Sequence, residues 1–176
     1  MNIAESGDVL YNLTNSLIYF LENKVLLKSS VSKTLKAWYV SPALQVILDF
    51  PDDLGELALP TLALQWVSNP GTAPVFYGYS QGNDYSFILC GFSGGETTEA
   101  KNKVQRDKLI GDTASLLENA SIPVYSWNGV TRGSEIGAGQ IVGRISPQSL
   151  PKSGQTEADK YRFSIGFSVR LFEQNV

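Results

Sequence analysis

RDKLIGDTASLLENASIPVYSW, residues 106–127, decides the fold. Leu109, Thr113, Leu116, Leu117 and Ala120 recur at helical spacing, with Val104 just upstream, and predict a helix over about 104–120 that packs by one face. Pro123 stops it, because proline has no N–H to donate and drives the residue before it into extended backbone. IPVYSW is then a strand laid down directly behind the helix. A helix that follows one strand and is followed at once by another packs on the face of a sheet.

Working outward, YSFILCGF at 85–92 is an apolar run with residues pointing both ways, expected as a central strand covered on both faces. ALPTLALQWVSN at 58–69 is another strand, with Leu62, Leu64 and Trp66 on one side, Thr61, Ala63, Gln65 and Val67 on the other, and Pro60 at its start or on an edge. WYVSPALQVILDF reads as a half-buried strand after the break at Pro42. PDDLGEL, at 51–57, and NPGTAP, at 69–74, carry turn residues. Near the start, Leu10, Leu13, Leu17, Phe20 and Leu21 predict a helix over about 8–27, followed by the polar stretch KSSVSKTLK. Downstream, residues 128–160 are rich in Gly, Ser, Thr and Gln, and only Gln140 to Ser146 looks like a strand, so a long loop over about 129–160 is expected. YRFSIGFSVRLF, at 161–172, alternates Tyr161, Phe163, Ile165, Phe167, Val169 and Leu171 with smaller or polar residues: one face core, the other wet. The fold class is α+β, a single domain over 1–176, with a mostly antiparallel or mixed twisted β-sheet and two helices packed on it.

Composition narrows the chemistry. The chain has 176 residues, 43% of them apolar, enough for one sizeable core. A net charge of −3 and a pI near 5.0 argue against a sequence-independent grip on phosphate backbones. The N-terminal stretch has no basic leader and Glu5, Asp8 and Glu22 interrupt its apolar character, so neither a secretory signal nor a membrane span is expected, and the protein is expected to be soluble and intracellular. The complete lack of histidine removes Ser-His-Asp and Cys-His catalysis and His-Cys zinc sites. Cys90, the single cysteine, reads as a small core hydrophobe.

Few motifs survive inspection. GAGQIVG at 137–143 does not match G-x-G-x-x-G, and no helix follows, so it reads as a glycine-bearing strand. SGGETTEAK, from Ser93, is no phosphate-binding loop and is expected as a mobile surface loop. Asp49, Asp52, Asp53 and Glu56 form the one dense carboxylate cluster, which in principle suits a divalent cation or an acid/base pair, but its spacing is not that of a calcium loop and a solvated turn is the simpler account. Asn12-Leu13-Thr14 and Asn119-Ala120-Ser121 match the glycosylation sequon by chance, both lying in expected helices. Trp38, Tyr39, Phe76, Tyr77, Tyr79, Tyr125 and Trp127 could build a stacking platform, but packing in core and interfaces is the simpler use. No catalytic, cofactor-binding or metal-ligating residue is therefore assigned, no cofactor is expected, and the chain is not read as an enzyme.

The order of elements then carries the reading. With its N-terminal helix, PTLALQWVSN leading into a hairpin, and YSFILCGF followed by a loop and QRDKLIGDTASLLENASIPVYSW, the chain resembles the tail terminator and neck (head-tail joining) proteins of tailed bacteriophages. The resemblance implies a structural virion protein. It would form a ring, usually a hexamer, on the head-proximal end of the tail tube, stop tube growth and meet the head connector, with DNA passing through the lumen unbound. It implies a virion location, host cytoplasm during assembly, and no membrane partner. The loops 129–160 and 93–103 are the expected contact regions. A head- or tail-completion protein or a tube-like subunit is the alternative within that class. Outside it stand a ligand- or glycan-binding module and a carboxylate-dependent hydrolase using Asp49, Asp52, Asp53 and Glu56.

Overall fold

The computed structural model of the chain describes residues 9–49, 58–68, 72–73, 82–150 and 161–172. Along the chain run α1 (Val9–Asn23), β1 (Val25–Lys28), β2 (Val31–Thr34), α2 (Leu35–Trp38), β3 (Gln45–Leu48), β4 (Thr61–Ser68), β5 (Thr72–Ala73), β6 (Gly82–Ser93), α3 (Glu99–Leu117), β7 (Ser121–Asn128), β8 (Thr131–Leu150) and β9 (Tyr161–Phe172). The fold is α+β, built on a curled mixed sheet in the order β3-β4-β6-β9-β8-β7, with the two-residue β5 added on β6. β3 and β4 are parallel; the other pairs are antiparallel. β1 and β2 make a separate hairpin.

Periodicity explains the core. Tyr161, Phe163, Ile165, Phe167, Val169 and Leu171 of β9 are all buried, whereas the residues between them are half exposed. All but Tyr161 join one apolar cluster with Leu62 and Leu64 of β4, Phe87 and Leu89 of β6, Leu13, Leu17 and Leu21 of α1 and Leu109, Leu116 and Leu117 of α3. Burial of each such side chain contributes about 1.5–3 kcal/mol. β6 is central as expected, paired with β4 and β9, but its second face, Ser86, Ile88 and Cys90, is only half covered. Where β6 meets β9, Gly91 leaves room for the Phe163 ring: a Cβ there would stand 1.9 Å from its Cζ.

Helix α1 ends at Asn23 rather than running to 27, because Val25–Lys28 pairs with Val31–Thr34. The Ser29-Ser30 turn has positive φ at both residues, 46° and 67°, the geometry of a two-residue primed hairpin turn without the Asn-Gly that usually announces it. α1 buries more than its apolar stripe, since Asn12, Thr14 and Ser16 are buried too. Asn12 Oδ1 accepts from the Trp127 N–H (2.9 Å), and Ser16 Oγ accepts from the Tyr125 N–H (2.9 Å) and from Trp127 Nε1 (3.1 Å). α1 thus caps the edge of β7, whose free N–H groups would otherwise invite another strand.

Helix α3 begins at Glu99, capped by Thr98, whose Oγ1 accepts from the Lys101 N–H (3.3 Å). Its buried stripe is Asn102, Gln105, Leu109, Thr113, Leu116 and Leu117, so Val104, expected to pack, is exposed instead. The expected loop 93–103 is largely absent. Residues 99–103 are helical, and Ser93–Thr98 is held down: the Gly94 N–H donates to Gln105 Oε1 (3.1 Å), the Glu96 N–H to Asn102 Oδ1 (3.0 Å).

The expected loop 129–160 is corrected over most of its length. Residues 131–150 are one long strand, β8, paired with β7 through Gln140 and with β9 from Gly139 onward, with a bulge between Val142 and Ser146. Residues 151–160 lie outside the described ones.

Candidate functional site

A groove of about 770 Å³ lies between α3 and the segment from β1 to Pro42. One wall is α3, which presents Lys101, Val104, Lys108 and Asp112 at helical spacing; the other carries Lys28, Trp38, Tyr39, Val40 and Pro42. Local rules place the second wall. β1 and β2 pair, Thr34 then caps the one-turn α2 by accepting from the Ala37 N–H (3.3 Å), and Trp38 and Tyr39 follow at its end.

At the inner end, Asp112 ties the walls together. It pairs with the Lys28 ammonium and accepts from the Tyr39 hydroxyl at 2.6 Å. Burial, the hydrogen bond to Asp112 and that carboxylate's charge together push the Tyr39 hydroxyl well above the usual tyrosine range, so it stays a donor. Lys28 also lies 4.9 Å from the Trp38 ring centroid and 5.6 Å from that of Tyr39, and Lys33 lies 5.2 Å from Trp38. Lys101 and Lys108 at the open side have no carboxylate partner among the described residues. The groove is apolar along its walls, and its charged lining, Lys28, Lys101 and Lys108 against Glu96 and Asp112, leaves it with a net positive charge. It suits an acidic segment with apolar side chains.

A shallower depression of about 340 Å³ lies on the open sheet face around Gly166, bordered by Val67, Ile88, Val142 and Ser168. On the same face Arg170 clamps Asp84 with two bonds, 2.7 and 2.8 Å. Cys90 is partly covered there, and burial pushes its thiol up while the Arg162 charge opposes the shift. The third feature is the β7–β8 ribbon. Its outer residues, 128–135, are all exposed and Val130 at the tip is 97% exposed. Its turn is held back against α1: the Tyr11 hydroxyl donates to Gly129 O (2.8 Å), and the Arg132 guanidinium sits 4.5 Å from the Tyr19 ring and 4.8 Å from the Tyr125 ring.

The residues singled out in the sequence scatter. Asp49 is at the end of β3 with positive φ; Asp52, Asp53 and Glu56 lie outside the described residues. Among the described residues no group of three or more carboxylate, histidine or cysteine side chains comes together. The aromatics divide: Trp38 and Tyr39 line the groove, Tyr125 and Trp127 pack against Tyr19 under α1, and Phe76, Tyr77 and Tyr79 are outside the described residues. GAGQIVG forms part of β8, where a Cβ on Gly139 would stand 2.5 Å from Val169. No described helix is long and apolar enough to cross a membrane. Lys28, Tyr39 and Asp112 escaped sequence reasoning because 73 and 84 residues separate them; the legible signal was the crowding of lysine into 24–36 and 101–108.

No protein-family model matches the chain, and no curated protein does. One solved structure aligns with 78% of this chain and 86% of its own at 13% identity, with a TM-score of 0.37, too loose a likeness to bear on function.

Proposed function

We propose that the chain is a structural virion protein of a tailed phage, a tail terminator that assembles as a ring, hexameric by the resemblance, at the head-proximal end of the tail tube. The observation that carries the reading is the end of the β7–β8 ribbon, where residues 128–135 are all exposed while the turn is tied back to α1 through Tyr11 and the Arg132 guanidinium lies against Tyr19. An exposed turn that is nevertheless held in one direction is suited to ordering against a neighbour. The open face of the sheet and the cationic groove add further contact surface. In this reading the tail tube protein and the head connector are the partners, and DNA crosses the lumen unbound. The protein acts in the virion after assembling in the host cytoplasm.

The groove aromatics do not favour the glycan-binding alternative, since stacking of a sugar needs a free ring face and the Trp38 indole already carries the Lys28 and Lys33 ammonium groups. Negative-stain imaging of the purified protein, alone and with polymerising tail tube protein, tests the proposal. Closed rings, or tubes capped at finite length, are expected, and Val130→Asp should weaken capping while leaving the fold intact. Monomers that leave tube growth untouched, at protein concentrations equal to the tube subunit, would remove the reading.

A further inference from the structure

The lysine-rimmed groove has a complement in the chain's own sequence. Every described lysine lies in residues 24–36 or 101–108, around the groove. Residues 22–38 and 96–112 together hold eight cations against Glu22, Glu96, Glu99, Asp107 and Asp112, an excess of three positive charges. With a net charge of −3 for the whole chain, the remainder carries −6. The densest part of that remainder is Asp49, Asp52, Asp53 and Glu56, interleaved with Phe50, Leu54 and Leu57. Apolar walls with a cationic rim on one side, and apolar residues with carboxylates on the other, are complementary in both respects.

We propose that the groove between α3 and the Trp38–Pro42 segment receives the acidic Asp49–Leu57 stretch of a second copy of this chain. The contact is heterologous, since groove and stretch are different surfaces, and such contacts close into rings when the rotation permits. Val104, 52% exposed on α3 where a packed residue was expected, and Val40 give the apolar residues a seat. Lys101 and Lys108 supply the unpaired charge, and the Lys28–Asp112–Tyr39 set keeps the groove's inner end rigid. The inference rests on the ring assembly proposed above for its closure, but the pairwise contact stands or falls by itself.

The test mixes unlabelled and 15N-labelled protein at low ionic strength, treats it with a zero-length carbodiimide that joins carboxylates to amines, and reads the crosslinked peptides by mass spectrometry. Peptides joining Lys101 or Lys108 to Asp52, Asp53 or Glu56 with mixed isotopes are expected, falling at least fivefold when salt is raised from about 0.05 to 0.5 M. Lys101→Glu/Lys108→Glu and Asp52→Lys/Asp53→Lys should each fail to form the contact alone, and a mixture of the two should restore it with the charges reversed. Circular dichroism of each variant verifies the fold. Same-isotope peptides only would place the stretch in its own subunit and overturn the proposal, as would absence of these peptides or failure of the charge-swapped mixture. Tube capping that persists without the crosslinks would spare the terminator reading and remove this contact; mixed crosslinks without capping would do the reverse.

Discussion

Removal of one oxygen atom from Ser16 tests how the edge of the sheet is closed. Ser16 is fully buried, and its Oγ is the acceptor for both the Tyr125 N–H and Trp127 Nε1. Ser16→Ala orphans two donors at once in a part-buried site, at about 1–3 kcal/mol each. Alanine's better helix propensity returns about 0.5 kcal/mol. The net destabilisation is about 2–4 kcal/mol, a fall in Tm of about 5–12 °C for a domain of this size. Urea denaturation followed by tryptophan emission measures it: the midpoint should fall at unchanged slope, because the same surface is exposed on unfolding. Asn15→Ala is the control, since Asn15 is only partly buried and its amide merely donates back to Tyr11 O (2.9 Å); it should shift stability by about 0.5 kcal/mol or less. A Ser16→Ala protein within about 0.5 kcal/mol of wild type would refute the claim that α1 side chains satisfy the β7 edge.

Replacing Ser29-Ser30 with Asn-Gly should raise stability by about 0.5–1.5 kcal/mol, because both positions hold positive φ; a loss of stability in thermal melts would contradict the turn geometry. Gly91→Ala should cost about 3 kcal/mol, as the added Cβ meets the Phe163 ring in the middle of the core, and an unchanged melting temperature would show that the ring moves freely. Tyr39 has a raised folded-state value, so its contribution is fully present below the ordinary tyrosine pKa of 10.0 and is lost as pH climbs above it. Denaturation between pH 9 and 12 should show that loss, and Asp112→Asn should flatten it; an identical pH dependence in the variant would separate Tyr39 from Asp112.

How much of this was legible in the sequence depended on where each residue's free energy comes from. β9 and α3 were legible because their stability lies in apolar periodicity, which the sequence writes directly. Even there, Gln105 holds a place that hydropathy assigned to Val104, because its side chain is spent on the Gly94 N–H rather than on water. The β1–β2 hairpin was missed since a Ser-Ser turn lacks the glycine or asparagine that marks positive φ. β8 was missed for a different reason: its outer half is exposed on both faces and is held by backbone bonds to β7, which leave no alternation to read. The groove was illegible residue by residue, because Lys28, Tyr39 and Asp112 meet only through tertiary packing.

The same distinction separates two sets of residues in the fold. Apolar periodicity builds one closed side of the sheet, where Leu13, Leu17, Phe87, Leu109 and Phe163 share a single core and a lost methylene is felt at once. The parts that escape periodicity, namely β8 beyond the core, the tip at Val130, and the lysines around the groove, bury little within the subunit and are held by hydrogen bonds, ring contacts and the ion pairs of Lys28, Lys36 and Lys103. Selection for the stability of a lone subunit has little hold on such residues, whereas selection for contact with a neighbour acts on them directly. Polar strands and unpaired cations are therefore consistent with a chain whose second set of partners lies outside itself. On that argument, substitutions at Lys101, Lys108 and Val130 should leave unfolding free energies within about 0.5 kcal/mol of wild type while changing assembly, the reverse of the pattern at Ser16 and Gly91.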